Sequence, residues 1–166
     1  PEYFDEVVIA AHSDQALRML ADPTPAESQI LSALRYQRNA TVLHTDEKLL
    51  PRKRLAWASW NYYLPQQQAE MPTVTYNMNI LQTLRSPRPF CVSLNREDAV
   101  DPDRVLARMT YHHPVFDLNA LNAQDRKAEI SGVNRTHYCG AYWGYGFHED
   151  GVVSGLDVGR NFGKEL

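Results

Sequence analysis

The residues best placed to do chemistry lie near the end of the chain, in Tyr138-Cys139-Gly140-Ala141-Tyr142-Trp143-Gly144-Tyr145-Gly146-Phe147-His148-Glu149-Asp150-Gly151. All eight glycines fall at or after Gly132, and Gly151, Gly155, Gly159 and Gly163 recur every fourth residue. That spacing puts them on one side of a helix. Each glycine inside a helix costs roughly 1 kcal/mol relative to alanine, so the row calls for a reason. A glycine stripe lets a backbone come close to a strand, another helix or a flat ligand. Asp150 is expected to cap the helix. The turn before it would then bring free N–H groups and a positive helix end toward an electron-rich group. Tight helix-on-sheet packing beside a glycine turn explains the same pattern without a ligand.

Other clusters are weaker. His44-Thr45-Asp46 puts an imidazole and a carboxylate on one face of a strand, as a metal or a His–Asp pair would need. The plainer reading is a polar strand end beside a turn, and no second cluster of His or Cys supports a metal. His112-His113-Pro114 reads as a strand end shaped by proline. Alternation sends Trp60 and Tyr62 to the face opposite Trp57, Asn61 and Tyr63. Such aromatics build either core or the wall of an apolar ligand cavity, with Asn61 fixing orientation. His44, Trp57, Trp60 and Asn61 are therefore the cavity candidates. His148-Glu149-Asp150 is a helix cap with solvated acids, or a cofactor contact. There is no Gly-x-Ser-x-Gly elbow, no P-loop and no Gly-x-Gly-x-x-Gly after the first strand. No catalytic residue is assigned.

The elements that must position these residues follow from pattern. Glu6 to Ala11 reads as a short buried strand. A helix follows with Ser13 as N-cap. Thr24-Pro25-Ala26-Glu27 starts another with a capping box and proline at the first helical position, ending near Tyr36. Strands are expected over 39–45, 56–64, 73–79, 89–94 and 104–113, with short polar connections that suggest a mostly antiparallel sheet. A helix over 119–130, a strand over 137–141 and a helix over 150–162 close the chain. The fold class is α+β. The first and last strands are short and apolar, and each leads to a helix, so they can lie side by side in a layer of their own.

Composition bounds the partners. The chain has 166 residues, 43% hydrophobic and 22% charged, with net charge −3. That suits one ordinary globular domain. With no basic stripe, nucleic acid is not an expected partner. No apolar run approaches the roughly 20 residues needed to span a bilayer. Cys91 and Cys139 sit in apolar strand-like runs and are expected to be buried free thiols, which fits a reducing cytoplasm. The chain opens with Pro1 and enters a hydrophobic strand almost at once, as a piece cut from a larger protein would.

The residues Cys139-Gly140-Ala141-Tyr142 and Gly146-Phe147-His148-Glu149-Asp150-Gly151-Val152-Val153-Ser154-Gly155 resemble the C-terminal FAD-binding segment of flavin-containing amine oxidase-like proteins. More narrowly, they resemble the bacterial branch of predicted NAD/FAD-binding oxidoreductases. Further matches are Leu43-His44-Thr45-Asp46, Pro51-Arg52-Lys53-Arg54 with Ala56-Trp57-Ala58-Ser59-Trp60-Asn61-Tyr62, and Tyr111-His112-His113-Pro114-Val115-Phe116. Val7 to Ala11 with His12 resembles the strand and turn by which this family leaves its FAD domain. The likeness covers nearly the whole chain.

The resemblance implies the C-terminal part of an α/β FAD-binding protein. Residues 1–36 would leave the FAD domain, 37–131 would form the substrate domain, and 132–166 would return to the flavin. By position it gives Gly140 and Ala141 to the strand end. It gives Phe147, His148 and Glu149 to the flavin approach, and Asp150 and Gly151 to the helix start. The helix N-terminus would face the N1–C2=O edge of the isoalloxazine, where negative charge forms on reduction. The complete enzyme would transfer hydride from an apolar or amine substrate to the flavin. Tyr142 and Trp143 follow Gly140 where the larger family often carries an acid, so the substrate need not be an amine. The N-terminal dinucleotide-binding glycines are absent, so this chain alone should hold FAD weakly or not at all. The missing part is the expected partner, and apolar surface left for it would favour self-association. The alternatives are a non-catalytic binding module on the same scaffold, or a half-enzyme completed by a separate chain.

Overall fold

The computed structural model describes residues 1–64, 71 and 73–164. Its strands are β1 (Val7–Ile9), β2 (Tyr36–His44), β3 (Trp60–Tyr63), β4 (Thr73–Asn77), β5 (Cys91–Leu94), β6 (Val105–Pro114) and β7 (Thr136–Tyr138). Its α-helices are α1 (Ser13–Met19), α2 (Pro25–Ala33), α3 (Met78–Leu81), α4 (Leu118–Asp125) and α5 (His148–Asn161). The fold is α+β, in two compact units: Pro1–Gln37 with His113–Leu166, and Arg38–His112. Residues 113–131, expected with the substrate sheet, belong to the first unit because α4 packs on α2. Among the described residues no helix is long and apolar enough to cross a membrane.

In the first unit the first and last strands do lie side by side. β1 and β7 pair in parallel, with Val7, Val8 and Ile9 opposite Thr136, His137 and Tyr138. A turn closes the outer edge of β7. The Gly132 N–H donates to the Thr136 carbonyl at 2.9 Å, and the Tyr138 N–H donates to Ser131 Oγ at 3.1 Å. Val7 and Ile9 turn their backbone bonds toward β7, so Val8 faces the other way. No strand lies on that edge among the described residues.

The capping box forms as the spacing predicts. Glu27 N–H donates to Thr24 Oγ1 at 3.2 Å, and Thr24 N–H donates to Glu27 Oε2 at 2.7 Å. The other Glu27 oxygen accepts from the Tyr138 hydroxyl at 2.6 Å. The start of α2 is thereby tied to β7, and Ile30, Leu31, Ala120, Ala123 and Ile130 close the core around it. α1 begins differently from expectation. Ser13 is its first residue, not its cap, because its hydroxyl donates to the Leu34 carbonyl at 3.0 Å and its N–H to the Tyr36 hydroxyl at 3.0 Å. The helix expected to reach Tyr36 stops at Ala33, and the helix expected over 119–130 stops at Asp125 before a single 3₁₀ turn.

The second unit is a five-stranded sheet in the order β3-β4-β5-β2-β6. The β3–β4, β4–β5 and β5–β2 pairs are antiparallel. Register sorts its side chains into two unlike faces. One carries the rows Val42–Ser93–Thr75–Asn61 and His44–Cys91–Asn77. Leu49 and Val100 cover that face by packing with Val42. The other carries Leu43–Val92–Tyr76–Trp60 and Leu94–Val74–Tyr62.

Burial pushes the Glu27 carboxyl upward, but the Tyr138 hydroxyl and the Thr24 N–H and hydroxyl outweigh it and hold it below its usual 4.5. Its stabilisation is complete above about pH 4.5 and is lost as pH falls below that. Tyr138→Phe leaves one oxygen of a buried carboxylate without its donor, an expected loss of about 2 kcal/mol in urea unfolding at pH 7. A loss under about 0.5 kcal/mol would show that the bond contributes little against water.

Candidate functional site

The glycine turn is built by specific contacts. β7 ends at Tyr138, two residues short of Gly140, and Ala141–Trp143 form a 3₁₀ turn. Gly140 and Ala141 therefore lie beyond the strand, not at its end. A Cβ on Gly140 would sit 2.5 Å from the Tyr142 ring, so the tyrosine can fold back under the turn only beside a glycine. The Gly140 N–H donates to buried Ser154 Oγ at 3.1 Å, which fastens the turn to α5. Gln124 of α4 donates through Nε2 to the carbonyls of Tyr142 at 2.8 Å and Gly144 at 2.6 Å. Gly146, at φ +87°, reverses the chain into the helix.

α5 starts at His148, two residues earlier than expected, with Phe147 at its N-cap. Phe147 has no side-chain acceptor, so the capping falls to Asp150 at the third helical position. Its Oδ2 accepts from Phe147 N–H at 2.8 Å and Tyr145 N–H at 3.0 Å. Asp150 does cap the helix, but by reaching back, and Gly151 is the fourth residue rather than the start. A Cβ on Gly144 would lie 2.6 Å from the Asp150 carboxyl carbon, so this return also requires a glycine. Phe147, His148 and Glu149 are exposed at the helix start. The backbone N–H groups of His148 and Glu149 have no partner among the described residues.

The glycine row does not pack as a tight helix-on-sheet contact. The buried face of α5 is Ser154 and Val158. A Cβ on Gly151 would meet Ala141 at an ordinary 3.8 Å, and one on Gly155 would meet nothing within 4 Å. Gly163 lies past the helix, at φ +67°. Beside this row Val152 and Val153 are 51% and 45% exposed. Gly140, Ala141, Phe147, His148, Glu149, Asp150 and Gly151 are thus brought together around one turn and one helix start. Beneath it the Tyr142 hydroxyl and the Trp143 indole N–H are buried, with no well-aligned hydrogen bond to either among the described residues. Gln124 and Ser154 are the positioning residues that pattern did not single out. A lone glutamine and a serine inside a helix carry no spacing signal.

The four cavity candidates are not together. His44 is fully buried on the polar face of the sheet. Asn61 lies on that same side, and its amide closes a local turn through Ala58 N–H at 3.1 Å and Ala58 carbonyl at 2.7 Å. Trp57 lies before β3, its indole N–H donating to the Pro51 carbonyl at 2.8 Å. Trp60 alone is on the apolar face, 55% exposed and edge-on to Tyr76 at 5.6 Å. Tyr62, 63% exposed, shares that face.

Both cysteines are free and buried. Burial and the charges of Asp46 and Glu47 push the Cys91 thiol up to about 12, and burial raises Cys139, so neither is a ready nucleophile. Among the described residues no group of three or more His, Cys, Asp or Glu side chains could hold a metal. No family model matches the chain, and no curated protein matches it.

The two kinds of glycine should respond oppositely to alanine. Gly140→Ala forces the buried Tyr142 ring aside, an expected loss of about 2 kcal/mol in chemical denaturation. Gly155→Ala meets open space and removes a helix penalty, an expected gain of up to about 1 kcal/mol. Equal effects of one sign would contradict this geometry.

Proposed function

We propose that the chain is the C-terminal part of an FAD-dependent oxidoreductase of the amine oxidase-like kind, with the arrangement in the first unit as its closing flavin-binding segment. The observation that carries this reading is the parallel pair β1–β7. Its far strand runs through Gly140–Gly146 into the N-terminus of α5. Two three-residue parallel strands do not make a stable sheet of their own, since parallel sheets occur with neighbours and with both faces covered. The open edge at Val8 and the exposed Val152 and Val153 support a further strand layer supplied by a dinucleotide-binding part.

The residues at the turn suit a flavin. The His148 and Glu149 N–H groups, at the positive end of a 14-residue helix, favour an electron-rich carbonyl edge. Asp150 does not oppose this strongly, because its carboxylate is occupied by two backbone donors. The bare surface of α5 at Gly155 allows a flat ring or a backbone to approach closely. FAD, when bound, supplies hydride acceptance, and no side-chain base is assigned. Within this reading the helix end stabilises negative charge, while Gln124, Ser154 and Asp150 hold the turn rigid. By itself, the exposed aromatic face of the second unit, with Trp60, Tyr62 and Tyr76, suits contact with an apolar group. The two buried free thiols suit a reducing compartment such as the cytoplasm.

In the longest natural form of the protein, Gly151→Val is expected to abolish flavin retention while circular dichroism stays unchanged. Normal flavin content in a folded variant would remove α5 from the site.

A further inference from the structure

The second unit buries an imidazole that the proposed function does not use. His44 is 0% exposed, and both ring nitrogens are committed. Nδ1 faces the Asp46 backbone N–H at 3.1 Å. That group can only donate, so Nδ1 is the bare acceptor and the proton sits on Nε2. Nε2–H then donates to Ser93 Oγ at 2.8 Å, and the Ser93 hydroxyl continues to Thr75 Oγ1 at 2.7 Å. The ring is neutral by geometry.

The residue that donates to Nδ1 also holds the loop layer over this sheet face. Asp46 Oδ1 accepts from Lys48 N–H at 3.1 Å, and Oδ2 accepts from Asp101 N–H at 3.0 Å. Beside it, Thr45 N–H donates to the Arg104 carbonyl at 3.0 Å. These bonds join segment 45–50 to segment 101–104, and Leu49 and Val100 complete the cover over Val42.

We propose that His44 is an acid-operated latch on this cover: a proton on Nδ1 sets two donors against each other at Asp46, turns that residue's backbone away and releases segments 45–50 and 101–104 from the sheet. The charged groups around the ring leave it as the titrating member. Burial pushes Asp46 upward, but the Asp101 and Lys48 N–H groups and the Lys48 and Arg104 charges outweigh it and keep it ionised. Cys91, opposite His44 on β5, stays a neutral thiol. Ser93, Thr75 and Asn77 do not titrate. Burial lowers His44 below its usual 6.5, against the pull of the Asp46 charge. The unfolded ring therefore binds its proton first. The latch is fully closed above about pH 6.5 and weakens as pH falls below that value.

Amide hydrogen exchange on the whole chain tests this, read as protection factors so that the intrinsic pH dependence cancels. Between pH 7.5 and 5.0 the Asp46, Lys48 and Asp101 amides are expected to lose protection progressively, the loss beginning below about pH 6.5. Amides of α2 and α4 should hold theirs. In His44→Gln, which can accept and donate without titrating, the cover amides should stay constant. Nitrogen chemical shifts of the wild-type ring at pH 7.5 should show the Nε2–H tautomer, a readout that does not depend on the variant folding. Constant protection in the wild type, simultaneous loss in both units, or the Nδ1–H tautomer would each overturn the latch.

Discussion

The first unit depends on one buried carboxylate. Glu27 closes the capping box at Thr24 with one oxygen and takes the Tyr138 hydroxyl with the other. The two residues are 111 positions apart, so this contact joins the two separate stretches from which the unit is made. A buried acid is tolerated only when its lone pairs are filled, and here three donors fill them. The arrangement fixes the height of β7 against α2. β7 in turn sets where the glycine turn and the start of α5 lie.

The second unit solves the opposite problem. Its covered sheet face is lined with His44, Thr75, Asn77 and Ser93, while its more open face carries Trp60, Tyr62 and Tyr76. A polar buried face costs desolvation unless every group is paired. The bonds from Asp46 through His44 and Ser93 to Thr75 meet that demand. The aromatic face is the more exposed one, the inversion of an ordinary half-buried sheet.

Much of this was legible in the residues. The capping box over Thr24–Glu27 and the neighbouring first and last strands follow from local spacing and short apolar runs. The mostly antiparallel central sheet follows from alternation and short connections. Cross-strand register was not legible. His44, Trp60 and Asn61 all read as cavity residues because each suits a cavity by type. Alternation already separates Trp60 from Asn61, and register adds that His44 shares the Asn61 face. The glycine row was seen, but its reason was not. The glycines that contacts require are Gly140 and Gly144, where Tyr142 and Asp150 return against the backbone. Gly155, in the helical row, touches nothing. Gln124 and Ser154 act through single bonds that no spacing rule marks.

The flavin reading explains why a helix should keep an unfilled glycine side next to exposed valines and a parallel pair with one open edge. The visible absorption spectrum of the longest natural form of the protein, recorded beside this chain, tests it most directly. The account predicts the two visible bands of oxidised flavin in the long form and their absence in this chain alone. A long form that stays colourless even after FAD is added would contradict it.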